Sequence, residues 1–355
     1  MINELTFGVE LECYVADKDA VLTAINQAGV TAIVRGYSHD VSPYWTMTTD
    51  GSLMDSGVGH GIEIVSPILK GEDGLMQLRK VCNVLSSLKA NITKKCGFHV
   101  HVGVANEKIE FFKNIYKLYS GFESTIDGIM PASRRNDDNY YCRSLKNNRM
   151  NYAAFDACNT LEDFRQLSHV NGYSNCRYFK INLEPWWRQG TIEFRHHSGT
   201  VNASKAVSWV MVCLKMVERA KKALPESMGY QKVETKRWVM PNKPYCRSWT
   251  VNRTVVDMLF REEGVTADEV NERLNKNGGW GSIGHIAQKL GIPVRVVQLG
   301  HKKRFFVEKH EVTEVQSISS NYDYSMENFI STLELGCLEA SFIQDRTHEL
   351  ANVAE

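Results

Sequence analysis

Thr6-Phe-Gly-Val-Glu-Leu-Glu-Cys-Tyr-Val15 alternates in the manner of a strand with two unlike faces, with Glu10 and Glu12 on one and Val9 and Leu11 on the other. Three further stretches share its character. Gly97-Phe-His-Val-His-Val-Gly103 and Thr191-Ile-Glu-Phe-Arg-His-His197 alternate again, and Gly61-Ile-Glu-Ile-Val-Ser66 stops at Pro67, which cannot continue a central ladder. Between these runs, Leu75 to Leu88, Ile109 to Ile129 and Ala203 to Ala223 space their apolar residues as helices do. Strands and helices alternate without a fixed period or internal repeat. The expected fold is therefore α+β, a mainly antiparallel sheet backed by helices.

The composition sets limits on function. Of 355 residues, 43% are hydrophobic and 23% charged, which excludes a disordered or collagen-like chain. Forty-two Lys and Arg face 41 Asp and Glu, so the net charge is +1 and the surface as a whole does not suit a polyanion. No uncharged apolar run approaches the roughly 20 residues of a membrane span, and the N-terminus lacks the form of a secretory signal. Nine scattered cysteines without a Cys-x-x-Cys pair read as reduced thiols in a cytoplasmic protein.

Chemistry concentrates on the strands. Glu10 with Glu12, His99 with His101, Glu193 with Arg195, and Glu63 with nearby Ser66 each lie within otherwise apolar runs. Side chains at i and i+2 share a strand face roughly 7 Å apart. A lone Glu-x-Glu is ordinarily a solvated face, and a lone His-x-His is more often an exposed edge than a metal site. Four such pairs in one short domain argue for a shared site, because burying unpaired charge is strongly unfavourable. Carboxylates with an imidazole suit a hard divalent cation, Mg²⁺ or Mn²⁺. Arg195, Arg134 and Arg135 then point to an anionic ligand such as a nucleoside triphosphate. The P-loop pattern is absent, so ATP would be held on the sheet by metal ions and arginines.

Five segments occur in order: Phe7-Gly-Val-Glu-Leu-Glu12, Trp45-Thr-Met-Thr-Thr-Asp-Gly-Ser-Leu53, Gly61-Ile-Glu-Ile-Val-Ser-Pro-Ile-Leu69, Cys96-Gly-Phe-His-Val-His-Val-Gly103 and Gly190-Thr-Ile-Glu-Phe-Arg-His-His-Ser-Gly-Thr200. Over residues 1–225 the chain resembles the amidoligase family, carboxylate–amine ligases that share the glutamine synthetase catalytic fold. The resemblance implies an ATP-dependent ligase that phosphorylates a carboxylate and lets an amine displace the phosphate. It implies that Glu10, Glu12, Glu63 and Glu193 share the Mg²⁺ ions, with His101, and less directly His99, as metal or phosphate ligands. Arg195 would clamp the transferring phosphoryl group or the carboxylate, and Asp50 would lie on the acceptor side. One of Arg134 and Arg135 would face phosphate, while Asn182 and His197 match polar positions of the family. Trp186 and Trp187 are expected in the core rather than on a substrate rim.

Residues 226–250 read as a connecting segment. The stretch 251–310 then gives helix, helix, helix and hairpin, with Thr266-Ala-Asp-Glu269 in capping-box form, an order similar to a winged helix. Its ten Lys and Arg against seven Asp and Glu give +3, mild for a nucleic-acid reader. Docking of a substrate or protein partner is therefore preferred over DNA contact. Residues 311–355 carry nine acidic residues and one Arg, as a solvated tail would, although Met326 to Phe342 is apolar enough to dock as a helix. Two other classes stay open: a metal-dependent hydrolase built on His99 and His101, and a nucleic-acid-binding regulator with a ligand-sensing N-terminal domain. The carboxylate partner and the amine acceptor (amino acid, polyamine or peptide) are not readable.

Overall fold

The computed structural model describes residues 4–36, 40–49, 51–53, 57–136, 139–145, 156–169, 176–225, 227–228, 230–233, 249–274, 283–290, 292, 294–299, 302–307, 315–318, 322–336, 340–341 and 343. Two compact units form, one from residues 1–231 with 318–355 and the other from 232–317.

The alternating runs all become strands of one eight-stranded sheet. They are β1 (Thr6–Val15), β4 (His60–Val65), β6 (Phe98–Gly103) and β8 (Thr191–Phe194). Shorter pieces complete it: β2 (Ala32–Val34), β3 (Trp45–Thr48), β5 (Leu69–Lys70) and β7 (Ile181–Asn182). The strand order is β2-β3-β4-β1-β6-β8-β7, with β5 also on β1. Every pairing is antiparallel except β2 with β3.

Register decides what each face carries, since residues directly opposite across an antiparallel pair point the same way. One face collects Val9, Leu11, Ile62, Ile64, Phe98, Val100, Val102, Ile192 and Phe194, all buried. Helices α2 (Gly71–Ser87), α3 (Ile109–Gly128) and α6 (Ala203–Ala220) form the layer on that side, α6 touching β6 and both other helices. Helices α1 (Lys18–Gln27), α4 (Leu161–His169) and α5 (Trp186–Gln189) lie between strands in the chain. Each fully buried Leu, Ile or Phe contributes about 1.5–3 kcal/mol, so this layer provides most of the driving force for the unit.

The segment read as a solvated acidic tail behaves otherwise over its described residues. After a strand at Val315–Ile318, helix Met326–Thr332 is capped by Ser325 Oγ, which accepts from the Asn328 amide at 3.3 Å. Phe329 and Leu333 enter the core of the first unit, where Phe122 of α3 meets the rings of Tyr322, Tyr324 and Phe329. A side chain at Gly121 would overlap the Tyr324 ring, which is why α3 carries glycine there. Asp323, Glu327 and Glu334 face outward while the apolar residues seal α3, an amphipathic division that net charge alone conceals.

In the second unit, helices Trp249–Leu259, Ala267–Leu274 and Ile283–Leu290 pack with a three-stranded sheet of Val265–Thr266, Lys302–Val307 and Val294–Leu299, in that spatial order. The capping box forms: Thr266 N donates to Glu269 Oε2 at 2.8 Å and Glu269 N to Thr266 Oγ1 at 3.4 Å. The expected hairpin forms between Val294–Leu299 and Lys302–Val307, with Leu299 paired to Lys302. Most of 226–250 lies outside the described residues.

Candidate active site

The second face of the large sheet is polar for the reason the first is apolar. Cross-strand register sets Thr48 opposite Glu63, Glu63 opposite Glu12, Glu10 opposite His99, His101 opposite Glu193, and Glu193 opposite Asn182. Six strands thus deliver one continuous row of acids, imidazoles and amides. A cleft of about 1030 Å³ lies over this row, and its wall includes Arg134, Arg195 and Tyr141.

Glu10 is central. Its Oε2 is 2.9 Å from His99 Nδ1 and its Oε1 3.2 Å from His101 Nε2. Burial pushes the Glu10 carboxyl up, but the hydrogen bonds and charge of the two imidazoles outweigh it and hold the group well below the usual carboxylate range. Burial lowers His101, yet the Glu10 hydrogen bond and the surrounding carboxylates prevail and raise it. Glu193 is likewise opposed by burial and held low by the Arg195 charge. It accepts from Asn182 Nδ2 at 2.6 Å and pairs with Arg195 Nη1. Glu12 and Glu63 are buried side by side on neighbouring strands; like charges so placed repel unless a cation joins them. Glu12 Oε2 accepts from Gly97 N at 2.6 Å. A Cβ on Gly97 would strike the His99 ring, so the imidazole takes its place in the row only because residue 97 has no side chain.

The donor set fits a divalent cation. Glu10, His101 and Glu193 each offer a ligand atom within 4.8 Å of the others. His101 Nε2 faces Glu10 Oε1 at 3.2 Å, while His101 Nδ1 lies 3.2 Å from Thr191 Oγ1. An imidazole fixed through one nitrogen, with the other aimed into carboxylates, is the arrangement a metal-ligating histidine takes.

Glu10, Glu12, Glu63, His99, His101, Asn182, Glu193 and Arg195 share the cleft. Of the two neighbouring arginines, Arg134 reaches it: the side chain is buried and donates from Nη2 to the Cys96 carbonyl, leaving Nε without a hydrogen-bond partner. Arg135 turns away, its Nε donating to Met130 O at 2.7 Å. His197 lies among Phe98 and Trp209 with Nδ1 2.6 Å from the Ser198 carbonyl, outside the cleft lining. Ser66 lines the cleft while closing β1, accepting from Val9 N at 2.8 Å. Trp186 and Trp187 pack against the core. Asp50 lies outside the described residues.

Three features carry no motif. Tyr141, Arg177 and Tyr178 join the cleft from segments distant in sequence. Behind Arg195, fully buried Lys180 bridges Glu123 Oε1 at 2.9 Å and Asp127 Oδ1 at 2.6 Å. Asp127 also meets His196 Nε2 at 2.8 Å, and Tyr119 Oη is 2.6 Å from His196 Nδ1. The sequence hardly marks this network, because Glu123 and Asp127 share α3 with Glu110, Lys113 and Lys117.

The cleft is thus polar, with a metal-capable trio and adjoining arginines on its wall. Residues 3–217 match the family model described as "Putative amidoligase enzyme", and the chain belongs to that family of ligase-type enzymes. Ligases of this type join a carboxylate to an amine and generally use ATP and a metal ion. No curated protein matches the chain. Among the described residues, no helix is long and apolar enough to cross a membrane. Cys13, Cys82, Cys96, Cys142, Cys158 and Cys213 are buried free thiols.

Proposed function

We propose that the chain is an ATP- and Mg²⁺-dependent carboxylate–amine ligase working through an acyl phosphate on a glutamine synthetase-like sheet. The observation that carries this reading is the Glu10–His101–Glu193 trio with Arg195 on Glu193 and Arg134 Nε open beside it. Glu10, Glu193 and His101 would hold one Mg²⁺, and Glu12 with Glu63 a further one. Bound Mg²⁺ supplies charge neutralisation along the phosphate chain. Arg134 and Arg195 orient the γ-phosphate of ATP towards the substrate carboxylate, whose oxygen takes the phosphoryl group as ADP departs. The amine nitrogen then attacks the acyl carbon, phosphate leaves and the amine loses its proton. Asn182 and His99 keep Glu193 and Glu10 in place during both steps.

Residues 251–310, within the second unit, are proposed as a winged-helix-like module that docks a substrate or protein partner. Lys302 pairs with Asp268 at 2.6 Å and Arg304 with Glu269 at 2.7 Å, so two of the basic residues are already engaged within the unit, which supports docking over DNA contact. The test of the ligase reading is calorimetric titration with a non-hydrolysable ATP analogue and Mg²⁺. Wild-type protein binds and the Glu10→Gln, Glu193→Gln double variant does not. Folded wild-type protein that fails to bind refutes the reading.

A further inference from the structure

Tyr141, on a loop, and Tyr178, at the end of the 3-10 turn Cys176–Tyr178, line one corner of the cleft that the metal and phosphate chemistry does not use, and Tyr140 packs against both to complete a platform. Tyr140 and Tyr141 are half exposed. Their rings lie 5.3 Å apart, and each is 5.2 Å from Tyr178; Tyr141 meets both other rings edge to face, so a flat ligand that stacks on one of Tyr141 and Tyr178 meets the edge of the other. Arg143 covers one side of Tyr140 at 4.1 Å and Arg177 one side of Tyr178 at 5.3 Å. The platform is held by backbone: Arg143 N donates to Tyr178 O at 2.8 Å and Lys180 N to Arg143 O at 3.0 Å. It is also joined to the charged row, because Arg195 donates from Nε to Tyr141 O at 3.2 Å while pairing with Glu193.

The chemistry of the occupant follows from these contacts. Rings that touch one another leave no space for an ammonium ion among them, and two of them already face guanidinium groups, so this is no cage for a cation. An apolar side chain would seek an enclosed pocket, whereas this surface is open and rimmed by phenol hydroxyls and arginines. A flat heteroaromatic ring with polar edges and an anionic tail suits it, since stacking on Tyr and Arg tolerates polar edges and the tail can run along Arg195 to the acidic trio. We infer that Tyr141 and Tyr178, with Arg177, seat the base of the nucleotide whose phosphates lie over Glu10 and Glu193. The inference rests on the ligase reading and adds to it the orientation of the nucleotide: base towards the β7 end of the sheet, phosphates towards β1.

The experiment compares two ligands in the full chain, a non-hydrolysable ATP analogue and inorganic tripolyphosphate, each with Mg²⁺. Calorimetry is run on wild type, Tyr141→Ala, Tyr178→Ala and Tyr141→Phe, with circular dichroism to check folding. Each Ala variant is expected to lose about 10-fold or more in affinity for the analogue and none for tripolyphosphate, while Tyr141→Phe keeps wild-type affinity for both. Unchanged analogue affinity in both Ala variants overturns the seat and leaves the ligase reading intact. Parallel loss of tripolyphosphate overturns it too, by making the platform a phosphate contact. Wild-type protein that binds neither ligand overturns both readings together.

Discussion

Replacing Phe329 by Ala tests whether the helix Met326–Thr332 is part of the first unit's core. Phe329 is fully buried, and its ring lies 5.1 Å from that of Phe122 on α3. Truncating a buried Phe to Ala removes its transfer free energy and leaves a cavity, a loss of about 3–5 kcal/mol. Relaxation is restricted here, because Phe122 is also packed by Tyr322 and Tyr324, and Thr125 Oγ1 donates to the Tyr324 carbonyl. The value expected is therefore towards the upper end, against a total of about 5–15 kcal/mol for a typical domain. The assay is urea unfolding of the full chain followed by circular dichroism, for Phe122→Ala, Phe329→Ala and the double variant. Coupling between the two substitutions of about 0.5–1.5 kcal/mol is expected from the ring pair itself. A loss below about 1 kcal/mol for Phe329→Ala would place the helix on the surface rather than in the core and refute the reasoning.

Other expectations are separately measurable. Burial and the Lys180 charge hold His196 down to about 3 in the native state, although its bond to Asp127 opposes them. Its unfolded value is near 6.5, so its contribution is complete above that pH and is lost as pH falls from about 6.5 towards 3. Between pH 6 and 4 the wild type should lose about 1.4 kcal/mol per pH unit more than His196→Gln in urea titrations; equal slopes would contradict the assignment. Lys180→Met leaves Glu123 and Asp127 without their buried cation and should lower stability by about 3–5 kcal/mol in the same assay. Gly97→Ala displaces the His99 ring, and Mn²⁺ affinity followed by electron paramagnetic resonance should drop with the fold preserved. Glu269→Ala removes one arm of the capping box and the Arg304 pair, for a loss of about 0.5–2 kcal/mol confined to the second unit.

The polar row was legible because it obeys a two-residue period. Glu10, Glu12, His99, His101 and Glu193 interrupt runs that otherwise read as buried strand, and antiparallel register needs no further information to put them on one face. Asn182 sits on a two-residue strand with no period of its own, and only its match to a family position marked it. The tyrosine platform was invisible for a different reason. Tyr140, Tyr141 and Tyr178 lie in segments separated by some forty residues and meet through tertiary packing, which no local pattern records. Helix α1 (Lys18–Gln27) also escaped notice, since only Val21 and Ile25 are buried and a stripe so thin barely registers against its polar residues. Lys180 misleads outright, because a lysine beside a strand reads as surface, whereas here it is sealed between two acids.

The first unit closes over residues from both ends of the chain, with 232–317 set between them. During synthesis the α3 surface around Phe122 is made early, but the rings that cover it arrive only with Tyr322, Tyr324 and Phe329. At about 5–20 residues per second, the hundred or so residues from Gln231 to Phe329 take roughly 5–20 s to add. For that interval the nascent sheet and helices hold an uncovered aromatic patch while the second unit folds beside the ribosome. The stretch from Tyr322 to Phe329 thus sets when the core of the first unit can close.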